Sequence, residues 1–311
     1  MDKPSNLLLK LSRRLFENSA EQERFVEALI HPKPFNPCIL WCKQKPVMSF
    51  AVEQPVSWQP SFVDRLSLGE KPGQHPLHQS GYYYCLDFSS VFAASTLLTI
   101  QRSVHLVFDM CAAPGGKSIF ARMALQPELL LCNEVIGKRI AMLISNLKRC
   151  NITPVVVLSK DSGILVELVP SSSEIVIVDA PCTGQSLLAK GGKAPGCFHP
   201  TAINKSANRQ KRIIANSARL VAPQSYLAYM TCTYSPEENE QVCEWFLERF
   251  PQFEPVVIPH LSAYQSHLST IACYRMWPQE LLGAGAFTVL FKNTEEGEAH
   301  QIDSNVLSNA G

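Results

Sequence analysis

Val104-His105-Leu106-Val107-Phe108-Asp109-Met110-Cys111-Ala112-Ala113-Pro114-Gly115-Gly116-Lys117-Ser118 decides the fold. Val104 to Phe108 is a short apolar run rich in β-branched and aromatic residues, the pattern of a buried strand. It ends in Asp109, small residues and a Pro-Gly-Gly turn. Ser118 to Leu125 then has the pattern of an amphipathic helix. Strand, tight glycine turn and helix make the first half of a βαβ unit. In open α/β sheets, ligands bind at the carboxyl ends of strands, where such turns sit. Gly115 and Gly116 let the backbone come close to a bound molecule. The turn is not a phosphate loop. That motif needs a glycine five positions before Gly116, where the chain has Cys111, and Pro114 lacks an amide that would cradle phosphate. A tight turn with no ligand is the plainer reading of the same residues.

Downstream, strand and helix patterns alternate, which argues for a parallel sheet covered on both faces. Strands are predicted at 129–135, 154–158, 174–178, 225–230 and 286–291, with helices at 139–149, 205–220 and 236–249. Each strand of the parallel set ends on a polar residue: Asp109, Glu134, Asp161, Asp179 and Cys232. An acid after the second strand is placed to accept hydrogen bonds from ribose hydroxyls, which singles out Glu134 and sets Asp161 near a base. Each residue alone also reads as a helix cap or a solvated turn. Together they suggest a nucleoside-containing ligand. Cys182, in Asp179-Ala180-Pro181-Cys182-Thr183-Gly184, and Cys232, between Thr231 and Thr233, sit in turns after adjacent strands. Thiolate is the reactive form of cysteine, and a helix N-terminus lowers the thiol pKa. Buried, inert thiols are the alternative.

Upstream, residues 1–30 show two helical stripes, Leu7, Leu8, Leu11, Leu15 and Phe16, then Phe25, Val26, Leu29 and Ile30. A Pro-rich, Trp-containing stretch over 31–80 reads as a small α/β extension. Gly81 to Ser90 leads into an apolar helix over 91–100, with Asp87 and Ser89 as caps. The chain has 311 residues, of which 46% are hydrophobic, enough for a sizeable core. Its net charge is +1, so any nucleic-acid binding must rest on local patches. From Ala180 to Pro236 there is no acid, although the chain holds 27. Lys190, Lys193, Lys205, Arg209, Lys211, Arg212 and Arg219, with His199, fall in that stretch. Such a surface can hold phosphates, which position a nucleic acid without reading its sequence. Lys10, Arg13, Arg14, Lys43 and Lys45 are a second candidate patch. Eleven cysteines without a CxxC pair argue against a zinc site and for a reducing, cytoplasmic setting. The N-terminus lacks the apolar core of a signal peptide, and no apolar run approaches the ~20 residues of a membrane span.

These motifs resemble the RsmB/RsmF/Nop/Sun family of S-adenosylmethionine-dependent RNA cytosine-5 methyltransferases. Met110 to Ser118 looks like the family's cofactor loop. Val178 to Gly184 looks like its Asp-Ala-Pro-Cys-Ser-Gly motif. Tyr229 to Thr233 with Pro236-Glu237-Glu238-Asn239-Glu240 looks like its Ser-Thr-Cys-Ser and Glu-Asn-Glu motif. Gly81 to Ser90 and Arg275-Met276-Trp277-Pro278 also match. Leu86, where the family often has Gln, Gln279, where a His is common, and Gly285-Ala286-Phe287 in place of Gly-Phe-Phe depart from the pattern. The resemblance implies a class I, Rossmann-like methyltransferase fold: a mostly parallel seven-stranded sheet flanked by helices. The expected divisions are an N-terminal extension over 1–75, the catalytic domain over 76–292 and a disordered tail over 293–311. By resemblance, Cys111, Ala112, Ala113, Pro114, Gly115, Gly116 and Lys117, with Glu134, Arg139, Asp161 and Asp179, hold S-adenosylmethionine. Cys232 is implied as the nucleophile that adds to cytosine C6. Asp179 contacts the N3/N4 edge, Cys182 assists release and Lys117 lines the same pocket. The implied partner is RNA, ribosomal first and transfer RNA second, with no metal, no membrane and a monomeric chain. A DNA cytosine-5 methyltransferase, which would use Pro181-Cys182 for attack, and a non-catalytic RNA-binding or assembly factor on the same fold are the rivals. Cys182, Cys232 and Asp179, all present, argue against the second.

Overall fold

The computed structural model describes residues 3–47 and 50–302. Two helices open the chain, α1 (Asn6–Leu15) and α2 (Ser19–Ile30). The side chains of Ser5 and Asn18 accept from amides of their first turns. A small antiparallel sheet follows, built from β1 (Cys38–Trp41), β2 (Val63–Arg65) and, after a short helix α3 (Pro76–Gln79), β3 (Tyr83–Leu86), in the order β2-β1-β3. This sheet draws β3 from beyond residue 75. Cys38, Leu40, Val63 and Tyr84 share one buried cluster with Val107 and Phe120 of the larger sheet unit. The extension is therefore continuous with the rest of the core.

The helix predicted over 91–100 starts earlier and stops sooner. Asp87 caps α4 (Phe88–Ala94) by accepting from Ser89 N at 2.8 Å, and Ser95–Thr99 tightens into a 3-10 turn. Ser95 and Thr96 hydroxyls donate back to Phe92 O and Ala93 O, the local competition that weakens helix continuation.

Strand and helix then alternate through β4 (Leu106–Asp109), α5 (Gly116–Leu125), β5 (Leu129–Asn133), α6 (Gly137–Arg149), β6 (Val155–Leu158), α7 (Ser162–Leu168), β7 (Ser173–Asp179), α8 (Pro200–Ala218), β8 (Val221–Thr231) and α9 (Glu240–Arg249), after which β9 (Phe253–Pro255), β10 (Tyr274–Met276) and β11 (Ala286–Asn293) follow; α7, β9 and β10 have no counterpart in the sequence-based expectation. The sheet order is β10-β11-β8-β7-β4-β5-β6, with β9 also on β11. The strands from β6 to β8 run parallel, and β11 and β10 complete the sheet antiparallel. Seven strands lie on the main path, as the resemblance implies, and β9 adds an eighth. From β4 the chain winds first towards β6 and then towards β8. The direction of winding reverses between β4 and β7, which opens a crevice at their carboxyl ends.

Side chains alternate between faces with the period of a strand. Val107, Ile175, Ile177, Ala228 and Met230 join the cluster shared with α4, α5 and α6. Leu106, Phe108, Val176, Val178, Leu227 and Tyr229 join the cluster shared with α7, α8 and α9. The helix predicted over 236–249 is broken: Pro236–Glu238 is a 3-10 turn, Asn239 leaves helical geometry and α9 begins at Glu240. Asn239 is held out of the helix by its side chain, which accepts from Thr231 Oγ1 at 2.5 Å and donates to Thr233 O at 3.0 Å. The tail predicted to be disordered from 293 is ordered at its start. Asn293 ends β11, Thr294 N donates to Gln252 O, His300 N donates to Ser171 O and Ile302 packs on the α7–α9 cluster. Residues 303–311 lie outside the described residues. Among the described residues no helix is long and apolar enough to cross a membrane.

Candidate active site

The crevice is lined by the turn after β4. Gly115 takes φ +113°, a conformation that favours glycine, and its amide donates to Ala112 O at 2.7 Å. Gly116 lies against the side chain of Tyr84. A Cβ there would stand 3.2 Å from Tyr84 Cε1, so this glycine serves close packing of α5 on β3. Asp109 turns inward, fully buried, accepting from Ser118 Oγ at 2.5 Å and Cys111 N at 3.3 Å. Burial pushes its carboxyl up to about 7. Asp109 thus shapes the turn instead of facing a ligand. Asn133 ties the turn to the next two strands by donating to Met110 O and Lys160 O and accepting from Lys160 N.

Glu134, just past β5, is buried; its Oε1 accepts from Ile136 N at 3.0 Å. Arg139 Nη1 stands 3.1 Å from Glu134 Oε2, while its Nη2 donates to Ala113 O. Glu134 Oε2 nevertheless makes no hydrogen bond of good geometry. Glu134, Arg139, Cys111 and Asp161, with Val135 and Ile136, line one enclosed cleft of about 120 Å³. A buried carboxylate oxygen left open there, beside apolar side chains, fits a ligand with vicinal hydroxyls and a flat base. Asp161 lines the cleft but is also a helix cap: it accepts from Gly163 N at 2.9 Å and faces Arg212 at 3.3 Å. A larger cleft of about 700 Å³, between 32–38 and Asp87 with Lys190, includes Leu86, one of the departures from the family pattern.

At the other end of the crevice, Lys117 Nζ meets Asp179 Oδ2 at 3.0 Å. Burial opposes the Lys117 charge, but Asp179, then Cys232 and Asp109, outweigh it and hold the ammonium above its ordinary pKa. Cys182 and Cys232 lie with their sulfurs 3.3 Å apart. The parallel register that pairs Asp179 with Met230 brings their two loops off neighbouring strand ends. The hydrogen bond from Cys182 lowers the Cys232 thiol pKa against the opposing effects of burial and Asp179, with help from Ser186 and Lys117. The same contact, with burial, raises Cys182 well above the ordinary value. The contact thus favours the thiolate form more at Cys232 than at Cys182. Four residues predicted at the site, Lys117, Asp179, Cys182 and Cys232, therefore form one constellation.

Residues around the Cys232 loop support it in ways the sequence did not single out. Fully buried Glu238 accepts from Thr183 N, Thr183 Oγ1, Gln210 Nε2 and Thr233 Oγ1. Gln185 Oε1 accepts from Tyr234 N and Ser235 N, while its Nε2 donates to Cys197 O. Glu240 and Arg275 form a buried two-point pair, and Arg275 Nη1 donates to Tyr234 O at 3.0 Å. Burial opposes the Glu240 charge, but Arg275 outweighs it and holds the carboxyl low. These partners are 5 to 55 positions apart in the chain, and only the motif spelling around 236–240 hinted at them.

The acid-free stretch is partly spent on local bonds. Lys190 pairs with Asp87 at 2.9 Å, Arg212 with Asp161, and Lys211 lies over the Trp245 ring. His199 caps α8, its Nδ1 accepting from Thr201 N at 3.2 Å. Lys193, Lys205 and Arg209 form no ion pair among the described residues. The second predicted patch is divided: Arg14 pairs with Glu237 at 2.7 Å, Lys45 with Asp64 at 2.6 Å, and Lys43 donates to Ser80 O.

Sheet order, glycine turn and strand-end cleft define a Rossmann-like methyltransferase. A crystallised methyltransferase homolog from Pyrococcus horikoshii superposes with a TM-score of 0.71 at 21% identity, covering 93% of this chain and 99% of that one. NSun6 from Pyrococcus horikoshii, crystallised with SFG, superposes with a TM-score of 0.72 at 16% identity, over 94% of this chain and 99% of that one. The family model for 16S rRNA methyltransferase RsmB/F matches residues 95–292, well over half the chain, and the chain belongs to that family. Ribosomal RNA small subunit methyltransferase F from Escherichia coli O139:H28 is 31% identical over 202 residues, covering 63% of this chain and 42% of that protein. The chain thus spans less than half the length of this curated relative. S-adenosylmethionine is the methyl donor of the family, and the open Glu134 oxygen and its cleft fit it.

Proposed function

We propose that the protein is an RNA cytosine-5 methyltransferase, with ribosomal RNA as the first substrate class and transfer RNA as the second. The observation that carries this reading is the thiol pair, Cys182 and Cys232, 3.3 Å apart beside the Lys117–Asp179 ion pair. Two touching cysteines whose thiol pKa values are pushed in opposite directions suit a reaction that needs one nucleophile and one proton-handling group. Cytosine C5 is a weak nucleophile. Addition of the Cys232 thiolate to C6 pushes electron density onto C5. Asp179 accepts from the cytosine N4 amino group or from a protonated N3, and Lys117 Nζ, 3.0 Å from its Oδ2, fixes the carboxylate in place. S-adenosylmethionine, held by the 111–117 turn with Glu134, Arg139 and Asp161, supplies an electrophilic methyl group. After methylation, loss of the C5 proton lets the C6–sulfur bond break. Solvent takes the C5 proton, its electron pair restores the C5–C6 double bond, and Cys182 assists release by donating its S–H to Cys232 as that sulfur leaves as thiolate.

The base must leave its stack to be reached, so a loop, a single strand or a flipped nucleotide is the expected target. Lys193, Lys205 and Arg209 are the basic residues available to its phosphates. Residues 76–292 form the catalytic unit in this reading, with 1–75 as an RNA-contacting extension, working as a monomer in a reducing cytoplasm.

The test is a denaturation-resistant protein–RNA adduct. Wild type, Cys182→Ala and Cys232→Ala are each mixed with S-adenosylmethionine and with ribosomal or transfer RNA. Cys182→Ala is expected to accumulate adduct and Cys232→Ala to make none, with the trapped RNA naming the substrate. Adduct in Cys232→Ala alone would reverse the two roles. No adduct in any variant, with no methyl incorporation by wild type, would sink the cytosine-5 reading.

A further inference from the structure

Glu238 touches both cysteine loops and takes no part in the chemistry described above. Its Oε1 accepts from Thr183 N at 2.9 Å and Gln210 Nε2 at 3.1 Å. Its Oε2 accepts from Thr183 Oγ1 at 2.5 Å and Thr233 Oγ1 at 3.3 Å. The two threonine hydroxyls are themselves 2.9 Å apart. Thr183 directly follows Cys182, and Thr233 directly follows Cys232. Gln210 Nε2 also donates to Pro181 O at 3.1 Å, so the residues on both sides of Cys182 are tied to this one carboxylate. The 3-10 turn that carries Glu238 is fixed from behind, since Tyr229 OH donates to Glu238 O at 2.7 Å.

We propose that Glu238 is a positioning residue for the methyl-transfer site. By accepting from Thr183 and Thr233 together, it clamps the two loops so that Cys182 presents its S–H to Cys232 Sγ. The inference rests on the assignment of Cys182 and Cys232 as the working pair. A hydrogen bond between two sulfurs depends steeply on distance and direction, and neither loop is regular structure that could hold the sulfurs by itself. Without the clamp, the Cys182 loop is free to draw away, and Cys232 loses the donor that favours its thiolate. The groups facing Cys232 are Cys182, Asp179, Lys117 and Ser186; of these, only Cys182 sits on the 182–184 loop that the carboxylate ties down. Burial raises the Glu238 pKa, and its four donors work against that effect.

The test needs no RNA, so it is independent of the substrate assignment. The rate of Cys232 alkylation by iodoacetamide is followed against pH by peptide mass spectrometry, beside the melting temperature of each protein. In wild type, Cys232 is expected to stay reactive at pH values where ordinary thiols have slowed. Glu238→Ala is expected to move the profile upward by about one pH unit, a roughly tenfold loss of rate at neutral pH. Glu238→Gln is expected to restore most of the profile. Its amide oxygen can accept from Thr183 N and its amide nitrogen can donate to hydroxyls that rotate to accept. A purely structural role would lower the melting temperature and leave the profile of the folded fraction in place. That result in Glu238→Ala overturns the proposal, as does a Gln variant as impaired as the Ala variant. If Glu238→Ala does not fold, the Thr183→Val/Thr233→Val double variant decides: an upward shift supports the clamp and an unmoved profile refutes it. A shifted profile with no RNA adduct in any protein would leave the clamp standing and remove the cytosine reading.

Discussion

Burial holds the pKa of the Asp109 carboxyl above that of its unfolded form. Its carboxyl is fully buried at the end of β4 and titrates at about 7, against an ordinary value near 4. Between those values the native state binds more protons than the unfolded state, so this residue makes stability fall as pH rises from about 4 to about 7. Asp109→Asn keeps both contacts, since its oxygen can accept from Cys111 N and its amide can donate to Ser118 Oγ. The variant is expected to lose less stability across that window than wild type, a difference on the order of a few kcal/mol at pH 8. Urea unfolding at a series of pH values measures it, and equal slopes for the two proteins would contradict the assignment. Single residues were legible in the sequence where chemistry and position coincide. Asp179 ends β7, Cys182 and Cys232 lie just past β7 and β8, Lys117 opens α5 after the turn from β4, and the fold gathers them. Asp109 also stands at a strand end, but whether a carboxyl turns in or out depends on Ser118 coming round from the next helix. Glu238 and Gln185 were illegible as site residues because the groups they bind come from separate elements.

Elements were legible where a hydrophobic period runs long enough to override local chemistry. The strands from β4 to β8 and helices α5, α6 and α8 follow their patterns. Two helix bounds were missed where side chains bond to the backbone: Ser95 and Thr96 end α4, and Asn239 interrupts the helix before α9; α7, β9 and β10 were missed because they are short. Short strands such as β1 to β3 carry too little period to be drawn individually. The contact of β3 with α6 shows what a residue-by-residue reading leaves out. Gly81 takes φ +66°, and a Cβ there would lie 1.6 Å from Arg149 O, a backbone atom at the end of α6. Arg149 answers by donating to Tyr83 O and His78 O. Gly81→Ala cannot be absorbed by a side-chain rotation; the small sheet must move off α6. The expected cost is about 3 kcal/mol or more, combining the strained φ with lost packing. Thermal unfolding checks it, and a melting temperature within a degree of wild type would show that the close approach is not maintained in solution.

At the scale of the whole molecule, the N-terminal helices share a buried aromatic cluster with the segment that follows Cys232. Phe25 on α2 is fully buried, set edge-on against Tyr234 at 5.0 Å and near Trp277 at 6.0 Å. Phe16 lies 4.8 Å from the same Trp277, and His267 Nε2 bonds to Leu15 O at 2.7 Å. Arg14 reaches Glu237, the residue before the clamp carboxylate. The helical pair thus rests on the segment that carries Cys232, and its burial cannot be separated from that of the site. Phe25→Ala removes an aromatic ring from a closed cluster and is expected to cost about 3–5 kcal/mol, a large share of a typical domain's stability. If the helices were an independent appendage, calorimetry of the variant would resolve two transitions, the first with a small enthalpy and no effect on the cysteines. The shared aromatic cluster predicts one lowered, cooperative transition, with the selective reactivity of Cys232 lost over the same temperature range. Tyr234 follows Thr233, and releasing one releases the other.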